Sequence, residues 1–64
     1  MKVTVNGSPH SIASTTLAAA LDELGYGGTR VATALNGAFV PATARDRPLA
    51  EGDQIEILAP RQGG

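Results

Sequence analysis

The 64-residue chain ends in Gly63 and Gly64, which follow the short segment Ala-Pro-Arg-Gln at residues 59–62. Because glycine has no Cβ atom, this part of the backbone can enter a channel that is too narrow for side chains. A main-chain carboxylate on Gly64 would then be a sterically bare group that a partner enzyme can reach and activate. Chain ends also finish in glycine where nothing constrains them. The residues alone therefore leave an activated terminus and an unconstrained tail both open.

The other residues that could do chemistry lack the partners, or the spacing, that a metal site or a catalytic pair would need. His10 is the single histidine, whereas a metal site needs three or four ligands, so we expect a surface histidine in a hairpin. Asp22 and Glu23 are adjacent in a predicted helix, so their side chains diverge into a solvated face instead of forming a carboxylate pair. The absence of cysteine excludes a disulfide-stapled scaffold and a cysteine nucleophile. We therefore expect neither a metal site nor a bound cofactor.

Composition limits the possible partners. The net charge is -1 and the five basic residues are scattered, so the chain lacks the positive footprint of a nucleic-acid-binding protein. Its 42% of hydrophobic residues can build one small core but no deep substrate pocket. The longest apolar run, residues 17–21, is too short to span a bilayer, and no leader precedes the first strand pattern. We expect a cytoplasmic protein without membrane or nucleic-acid partners.

The first elements are predicted to form a β-hairpin. Val3 and Val5 alternate with polar residues, the pattern of a half-buried strand. The dipeptide Asn-Gly at residues 6–7 accepts the positive φ angles of a tight turn, and residues 8–12 form the returning strand. Pro9 cannot donate a ladder hydrogen bond, so we expect this position to lie at a sheet edge or at the start of a strand.

A helix is predicted over about residues 16–24. Residues 14–16 (Ser-Thr-Thr) are N-cap types, and Gly25 lies where a left-handed C-cap residue is expected. Between them an apolar stripe follows the i, i+3, i+4, i+7 spacing of one helix face. Its members are Leu17, Ala20, Leu21 and Leu24.

A second hairpin follows the helix. Residues 31–35 form a short apolar run that predicts a buried strand. The Asn-Gly pair at residues 36–37 predicts another tight turn, after which residues 38–40 return. Residues 42–47 are polar and are expected to be irregular.

The last predicted strand, residues 54–58, leads directly to the tail. Ile55 and Ile57 alternate to one face of this strand. Glu56 and Leu58 therefore lie on the other face. An exposed apolar side chain beside the tail makes Leu58 a candidate partner contact, although single exposed apolar residues are ordinary.

Glu51, Asp53 and Glu56 form an acidic cluster close to the tail. Turn chemistry and a solvated strand edge explain such a cluster without any partner. Its functional interpretation is electrostatic docking to a basic patch on a partner protein. The residues alone leave both explanations open.

The element order is hairpin, helix, strand, short hairpin and strand, which predicts a two-layer α+β domain. This order resembles the ubiquitin-like β-grasp, in which one main helix packs on one face of a mixed sheet. In that fold the first and last strands pair at the sheet centre, an expectation that comes from the resemblance alone. We expect residues 1–58 to form the β-grasp domain and residues 59–64 to form a flexible C-terminal Gly-Gly tail.

Three blocks of sequence, together about half of the chain, resemble a known family. Residues 31–41 read Val-Ala-Thr-Ala-Leu-Asn-Gly-Ala-Phe-Val-Pro, residues 48–58 read Pro-Leu-Ala-Glu-Gly-Asp-Gln-Ile-Glu-Ile-Leu, and residues 60–64 read Pro-Arg-Gln-Gly-Gly. In this order and at these distances they are similar to blocks of the ThiS family, the bacterial sulfur carrier proteins of thiamine (thiazole) biosynthesis. Residues 42–44 depart from the family, whose members often have a basic and then an aromatic residue after the Val-Pro pair.

The resemblance implies a protein co-substrate and not an enzyme. An E1-like, ThiF-like adenylyltransferase would use ATP to adenylate the carboxylate of Gly64. A sulfur donor such as a cysteine desulfurase would convert it to a thiocarboxylate, and a ThiG-like thiazole synthase would take the sulfur. ATP and the sulfur donor would be bound by those partners and not by this chain. The partner-binding residues would then be Leu58, Pro60, Arg61, Gln62 and Gly63.

Other functions fit the same features. Carriers for molybdopterin or cysteine biosynthesis share the fold and the terminal glycines, and a ubiquitin-like covalent modifier of proteins would share them too. A plain β-grasp binding module is the remaining alternative. Such a module would keep its function after deletion of Gly63 and Gly64, whereas a carrier would lose it.

Overall fold

The computed structural model describes residues 1–59, which form five β-strands, one α-helix and one 3-10 turn. In chain order these are β1 (Lys2–Val5), β2 (Ser8–Ser11), α1 (Leu17–Glu23), β3 (Ala32–Leu35), β4 (Ala38–Val40), the 3-10 turn (Ala42–Ala44) and β5 (Gln54–Leu58). The predicted elements and their order are confirmed, with ends that differ by one residue at most. The segment 42–47, expected to be irregular, contains the 3-10 turn. Beyond Ala59, the predicted flexible tail lies outside the described residues.

The strands form one mixed sheet in the order β2-β1-β5-β3-β4. β1 and β5 are parallel and lie side by side at its centre, with Val5 opposite Ile55. The other three strand pairs are antiparallel. A parallel pair requires a long crossover connection, and here that connection contains α1. This is the β-grasp topology, so the central pairing expected from the resemblance is confirmed.

The helix α1 begins and ends where its cap residues predict. The Thr16 side chain accepts a hydrogen bond from the Ala19 N–H (3.2 Å), which satisfies one of the free amides of the first turn. Gly25 has a φ of +94°, the left-handed conformation expected just after a helix end. The capped helix therefore carries Leu17, Ala20 and Leu21 of the apolar stripe, and Leu24 is its C-cap residue.

The hydrophobic core lies between α1 and the inner face of the sheet. Leu17 and Ala20 of α1 are completely buried, and Ile55 of β5 is 1% exposed. Each fully buried aliphatic side chain contributes about 1.5–3 kcal/mol, so a domain this small depends on nearly every one of them. Within residues 1–59 the buried hydrophobic residues are Val3, Val5, Ile12, Leu17, Ala20, Leu21, Val31, Leu35, Val40, Leu49, Ile55 and Ile57.

Both Asn-Gly turns have the backbone that their sequence predicts. The φ angles are 51° at Asn6 and 84° at Gly7, and they are 52° at Asn36 and 85° at Gly37. Positive φ at both central residues is the signature of the type I′ turn, whose twist matches that of the flanking strands. The turns connect β1 to β2 and β3 to β4, and they place two asparagine side chains beside β5.

Candidate functional site

The central strand β5 ends at Leu58, and Ala59 is the last residue that the structure describes. On one flank Leu58 lies opposite Ala32 of β3. On the other flank Ile57 is hydrogen-bonded to Asn6. The C-terminal end of β5 is therefore held on both sides. The remaining predicted site residues lie outside the described part of the chain, namely Pro60, Arg61, Gln62, Gly63 and Gly64.

The side chain of Asn6 extends the pairing of β1 with β5 after the backbone of β1 has turned away. The Asn6 N–H donates to the Ile55 carbonyl (2.9 Å), as in a parallel ladder. One step further along β5, the Asn6 Oδ1 accepts from the Ile57 N–H (2.8 Å) and the Asn6 Nδ2 donates to the Ile57 carbonyl (3.1 Å). One amide thus pairs with both backbone polar groups of Ile57.

Asn36 holds the opposite end of β5 from the other flank. Its N–H donates to the Gln54 carbonyl (2.8 Å), and its Oδ1 accepts from the Gln54 N–H (2.9 Å). Its Nδ2 donates to the Asp53 carboxylate (3.1 Å). The sequence predicted both Asn-Gly turns but not these contacts with the central strand. The signal in the sequence that could have indicated these contacts is the asparagine in each turn, because its side-chain amide can both donate and accept hydrogen bonds.

A buried polar contact braces β3, the strand that pairs with Leu58. Thr33 is 2% exposed, and its hydroxyl donates to the Val40 carbonyl (2.8 Å). The Arg45 Nε donates to that hydroxyl (3.1 Å), and the Arg45 Nη2 donates to the Val31 carbonyl (2.5 Å). Sequence reasoning missed this role of Arg45, because the segment around it showed no periodic pattern.

The face of the sheet opposite α1 is open beside the end of β5. Leu58 is 72% exposed there, as the alternation of β5 predicts, and Phe39 of β4 is 69% exposed. Their cross-strand neighbours in β3 are Ala32 and Ala34, and a shallow groove of about 180 Å³ lies among these four side chains. We call these four residues the outer patch. Sequence reasoning missed Phe39, although its alternation with buried Val40 was a signal.

The acidic cluster divides into turn residues and one residue of the outer face. Asp53 accepts from the Ala50 N–H (2.8 Å), and this hydrogen bond holds the pKa of the Asp53 carboxyl below its usual value. Glu51 accepts from the Lys2 N–H (3.1 Å). Turn chemistry therefore accounts for Asp53 and Glu51, whereas Glu56 is exposed and lines the groove of the outer patch.

Glu23 is exposed, as predicted, but it also ties the end of α1 to the segment that precedes the helix. Its carboxylate accepts from the Ala13 N–H (3.0 Å), the Ser14 N–H (3.0 Å) and the Ser14 hydroxyl (2.6 Å). These hydrogen bonds, with that of the Ser14 hydroxyl as the largest cause, hold the pKa of Glu23 below its usual value. Of the predicted N-cap types, Ser14 therefore donates to Glu23, and Thr16 is the residue that caps the helix.

The grouping of acidic and histidine side chains and the length of the helix show whether residues 1–59 could hold a metal ion or cross a membrane. Within residues 1–59, no three histidine, aspartate or glutamate side chains are grouped so that they could hold a metal ion. His10 lies exposed on β2. No helix of the described segment has the length and apolar character needed to cross a membrane.

Comparison of the sequence with known proteins gives a match along almost the whole chain. A sequence model of the ThiS family matches residues 3–64. The chain is also 41% identical over 63 residues to a Thermus thermophilus protein named sulfur carrier protein ThiS. That match covers 97% of this chain and 98% of the relative.

Two solved structures of a thiamine biosynthesis protein (ThiS) from Geobacter metallireducens are similar to this fold. The crystal structure has a TM-score of 0.78 at 28% identity, with 100% of both chains covered. The solution structure has a TM-score of 0.80 at 29% identity and covers 100% of this chain and 88% of that chain. By its sequence over residues 3–64 and by its β-grasp fold, the chain belongs to the ThiS family.

Proposed function

We propose that this chain is a sulfur carrier protein of thiamine biosynthesis and that the sulfur is carried on the carboxyl carbon of Gly64. The observation that carries the proposal is the position of β5. The strand that leads to the tail is the central strand of the sheet and is hydrogen-bonded along both flanks. Such a strand presents the chain that follows it at a fixed point of the surface. The Thermus thermophilus relative, matched over 98% of its length, bears the name of a sulfur carrier.

The chemistry proposed for Gly64 proceeds in two transfers. A carboxylate oxygen of Gly64 attacks the α-phosphate of ATP, which forms an acyl adenylate and releases pyrophosphate. A sulfur nucleophile at the hydrosulfide level then attacks the acyl carbon. The C–S bond forms, the C–O bond to the phosphate breaks, and AMP leaves with that electron pair. Adenylation is needed because an oxide is a poor leaving group, whereas AMP is a good one.

This chain acts as a co-substrate, and its partners supply the catalytic groups. An E1-like adenylyltransferase binds ATP. A cysteine desulfurase or similar donor supplies persulfide sulfur, which a thiol reductant brings to the hydrosulfide level while the thiol is oxidised to a disulfide. Thiazole synthase consumes the thiocarboxylate. Gly63 and Gly64 let the tail enter a narrow catalytic channel. Pro60, Arg61 and Gln62 precede them and contact the channel walls.

The outer patch is the surface that we assign to partner recognition. Leu58 and Phe39 are large apolar side chains that remain mostly exposed, and well-packed apolar side chains often anchor protein interfaces. Glu56 places a negative charge beside them, which suits a basic group on the partner. A partner that covers this patch lies next to the point from which residues 60–64 leave the domain.

The test is the intact mass of the protein after incubation with ATP, the cognate E1-like adenylyltransferase and a sulfur donor. The expected gain equals the replacement of one oxygen by sulfur, and fragmentation locates it at Gly64. Deletion of Gly64 should abolish the gain. The matched control is His10→Ala, which changes an exposed residue of β2 and should leave the gain intact.

Two other results would overturn parts of the proposal. A terminus found in isopeptide linkage to lysines of other proteins, with no thiocarboxylate, would make the chain a protein modifier. A thiocarboxylate that forms but transfers no sulfur to thiazole synthase would assign the carrier to a different sulfur pathway. Mass spectrometry of the thiazole product, with isotopically labelled sulfur on Gly64, tests the second result, and mass spectrometry of lysine peptides linked to Gly64 tests the first.

A further inference from the structure

We propose that Asn6 is a positioning residue of the carrier. Its side-chain amide fixes the position of the C-terminal end of β5, from which the tail enters the activating enzyme. The inference rests on the proposed function at Gly64. It begins from the contact of Asn6 with Ile57, in which Oδ1 accepts from the N–H (2.8 Å) and Nδ2 donates to the carbonyl (3.1 Å).

The backbone of β1 cannot make this contact itself. At Asn6 the φ angle is 51°, so the chain turns toward β2 just where a longer β1 would have paired with Ile57. The Asn6 N–H still reaches the Ile55 carbonyl (2.9 Å), but the next pair along β5 depends on the side chain. A peptide group near the open end of a strand costs free energy if its hydrogen bonds are lost, so the amide stabilises this end of β5.

The identity of the side chain matters for this contact. Asparagine supplies one donor and one acceptor on the same short group, which matches the N–H and carbonyl of Ile57. Aspartate would keep an acceptor for the N–H but would place a second acceptor against the carbonyl. Glycine would keep the positive φ angle of the turn and remove the contact altogether.

The chain contains its own matched control in Asn36. Asn36 lies in the second Asn-Gly turn with nearly the same φ, 52°, and its side chain also makes two hydrogen bonds beside β5. It holds Gln54 and Asp53, at the end of β5 remote from the tail. Asn6→Gly and Asn36→Gly therefore remove similar contacts from opposite ends of the same strand.

The loss of the Asn6 amide should affect binding of the tail more than the chemical step. When Ile57 and Leu58 are held, the chain leaves the domain from one position, and the partner has fewer conformations to order. Without the amide, that ordering occurs on binding. The activating enzyme should then show a higher KM for the carrier and a nearly unchanged kcat, since the reacting carboxylate itself is unaltered.

The experiment is carrier-dependent ATP–pyrophosphate exchange by the cognate E1-like adenylyltransferase, with the full chain as wild type, Asn6→Gly and Asn36→Gly. We expect Asn6→Gly to raise KM by about three- to tenfold with kcat changed less than about twofold. Asn36→Gly should lower stability to a similar extent and change KM by less than about twofold. Amide hydrogen exchange by NMR should show faster exchange at Ile57 in Asn6→Gly and at Gln54 in Asn36→Gly.

The outcomes distinguish a failure of the inference about Asn6 from a failure of the proposed function at Gly64. If the wild-type chain supports exchange but both variants raise KM equally, Asn6 has a structural role only and the inference is overturned. An unchanged KM in Asn6→Gly also overturns it. If wild type supports no exchange at all, the proposed function fails and this inference fails with it. Should Asn6→Gly not fold, Asn6→Asp replaces it, with a smaller rise in KM expected and an unchanged KM as the contrary result.

Discussion

Leu58 lies directly opposite Ala32 in the antiparallel ladder between β5 and β3. Because alanine offers only a methyl group to its cross-strand neighbour, the leucine side chain stays 72% exposed at the end of β5. The adjacent residue, Ile57, points into the core and is 4% exposed. Two neighbouring aliphatic residues therefore differ in environment: Ile57 belongs to the core, whereas Leu58 lies on the surface that we propose for partner recognition.

Alanine substitutions at these two positions should separate the roles. Ile57→Ala should lower the free energy of unfolding by about 2–5 kcal/mol, because it removes buried methyl groups and leaves a cavity. Leu58→Ala should change it by less than about 0.5 kcal/mol. Because we propose the Leu58 side chain as an interface anchor, Leu58→Ala should also weaken binding to the E1-like adenylyltransferase by about fivefold or more.

Urea unfolding and isothermal titration calorimetry measure the stability and the affinity of these variants. Ile57→Ala serves as the control for nonspecific loss of fold, and it should be compared under conditions in which it remains folded. A Leu58→Ala variant that binds the adenylyltransferase as tightly as wild type would contradict the assignment of the outer patch to partner recognition.

Arg45→Lys should destabilise the domain although it preserves the charge. The guanidinium of Arg45 donates at once to the Thr33 hydroxyl and the Val31 carbonyl, and a single ammonium on a flexible stem does not reproduce this forked geometry. We expect the free energy of unfolding to fall by about 1–3 kcal/mol. Chemical denaturation measures it, with Arg47→Lys as the control at an exposed arginine. Equal effects of the two substitutions would show that the fork contributes nothing.

Asp53 should make stability depend on pH in the acid range. The hydrogen bond from the Ala50 N–H lowers the pKa of Asp53 in the folded state, so folding favours the ionised carboxylate. The resulting stabilisation is complete above the unfolded value of about 3.9 and is lost as the pH falls through the lower folded pKa. Urea midpoints between about pH 5 and 2 should therefore fall less steeply in Asp53→Asn than in wild type. Asp46→Asn, at an exposed position, is the control, and identical slopes for wild type and Asp53→Asn would refute the prediction.

Ser14→Ala should raise the pKa of Glu23 toward its usual value. The hydrogen bond from the Ser14 hydroxyl is the largest cause of the lowered pKa, while the N–H groups of Ala13 and Ser14 remain in the variant. The shift should therefore be reduced but not abolished. NMR titration of the Glu23 carboxyl carbon measures it, with Thr15→Ala as the control at the neighbouring exposed hydroxyl. A pKa unchanged by Ser14→Ala would show that the backbone donors alone are responsible.

The local features of this fold were predictable because they depend on residues only a few positions apart. Thr16 caps α1 through the amide of Ala19, and a cap of this kind is visible in a short window of sequence. The two type I′ turns follow from Asn-Gly pairs between apolar runs. The exposure of Leu58 follows from the alternation of β5, and the same rule applied to β4 would have identified Phe39.

The sequence by itself determined the elements, their order and the family, since periodicity, capping and turn chemistry are local and the three sequence blocks match in order. Only the tertiary structure decided which side chains hold the end of β5. Asn6 and Ile57 are 51 positions apart, and Arg45 and Val31 are 14 apart. Such contacts arise from the strand order, which places β5 between β1 and β3. No local pattern specifies that order, because it depends on how the whole chain buries its apolar faces.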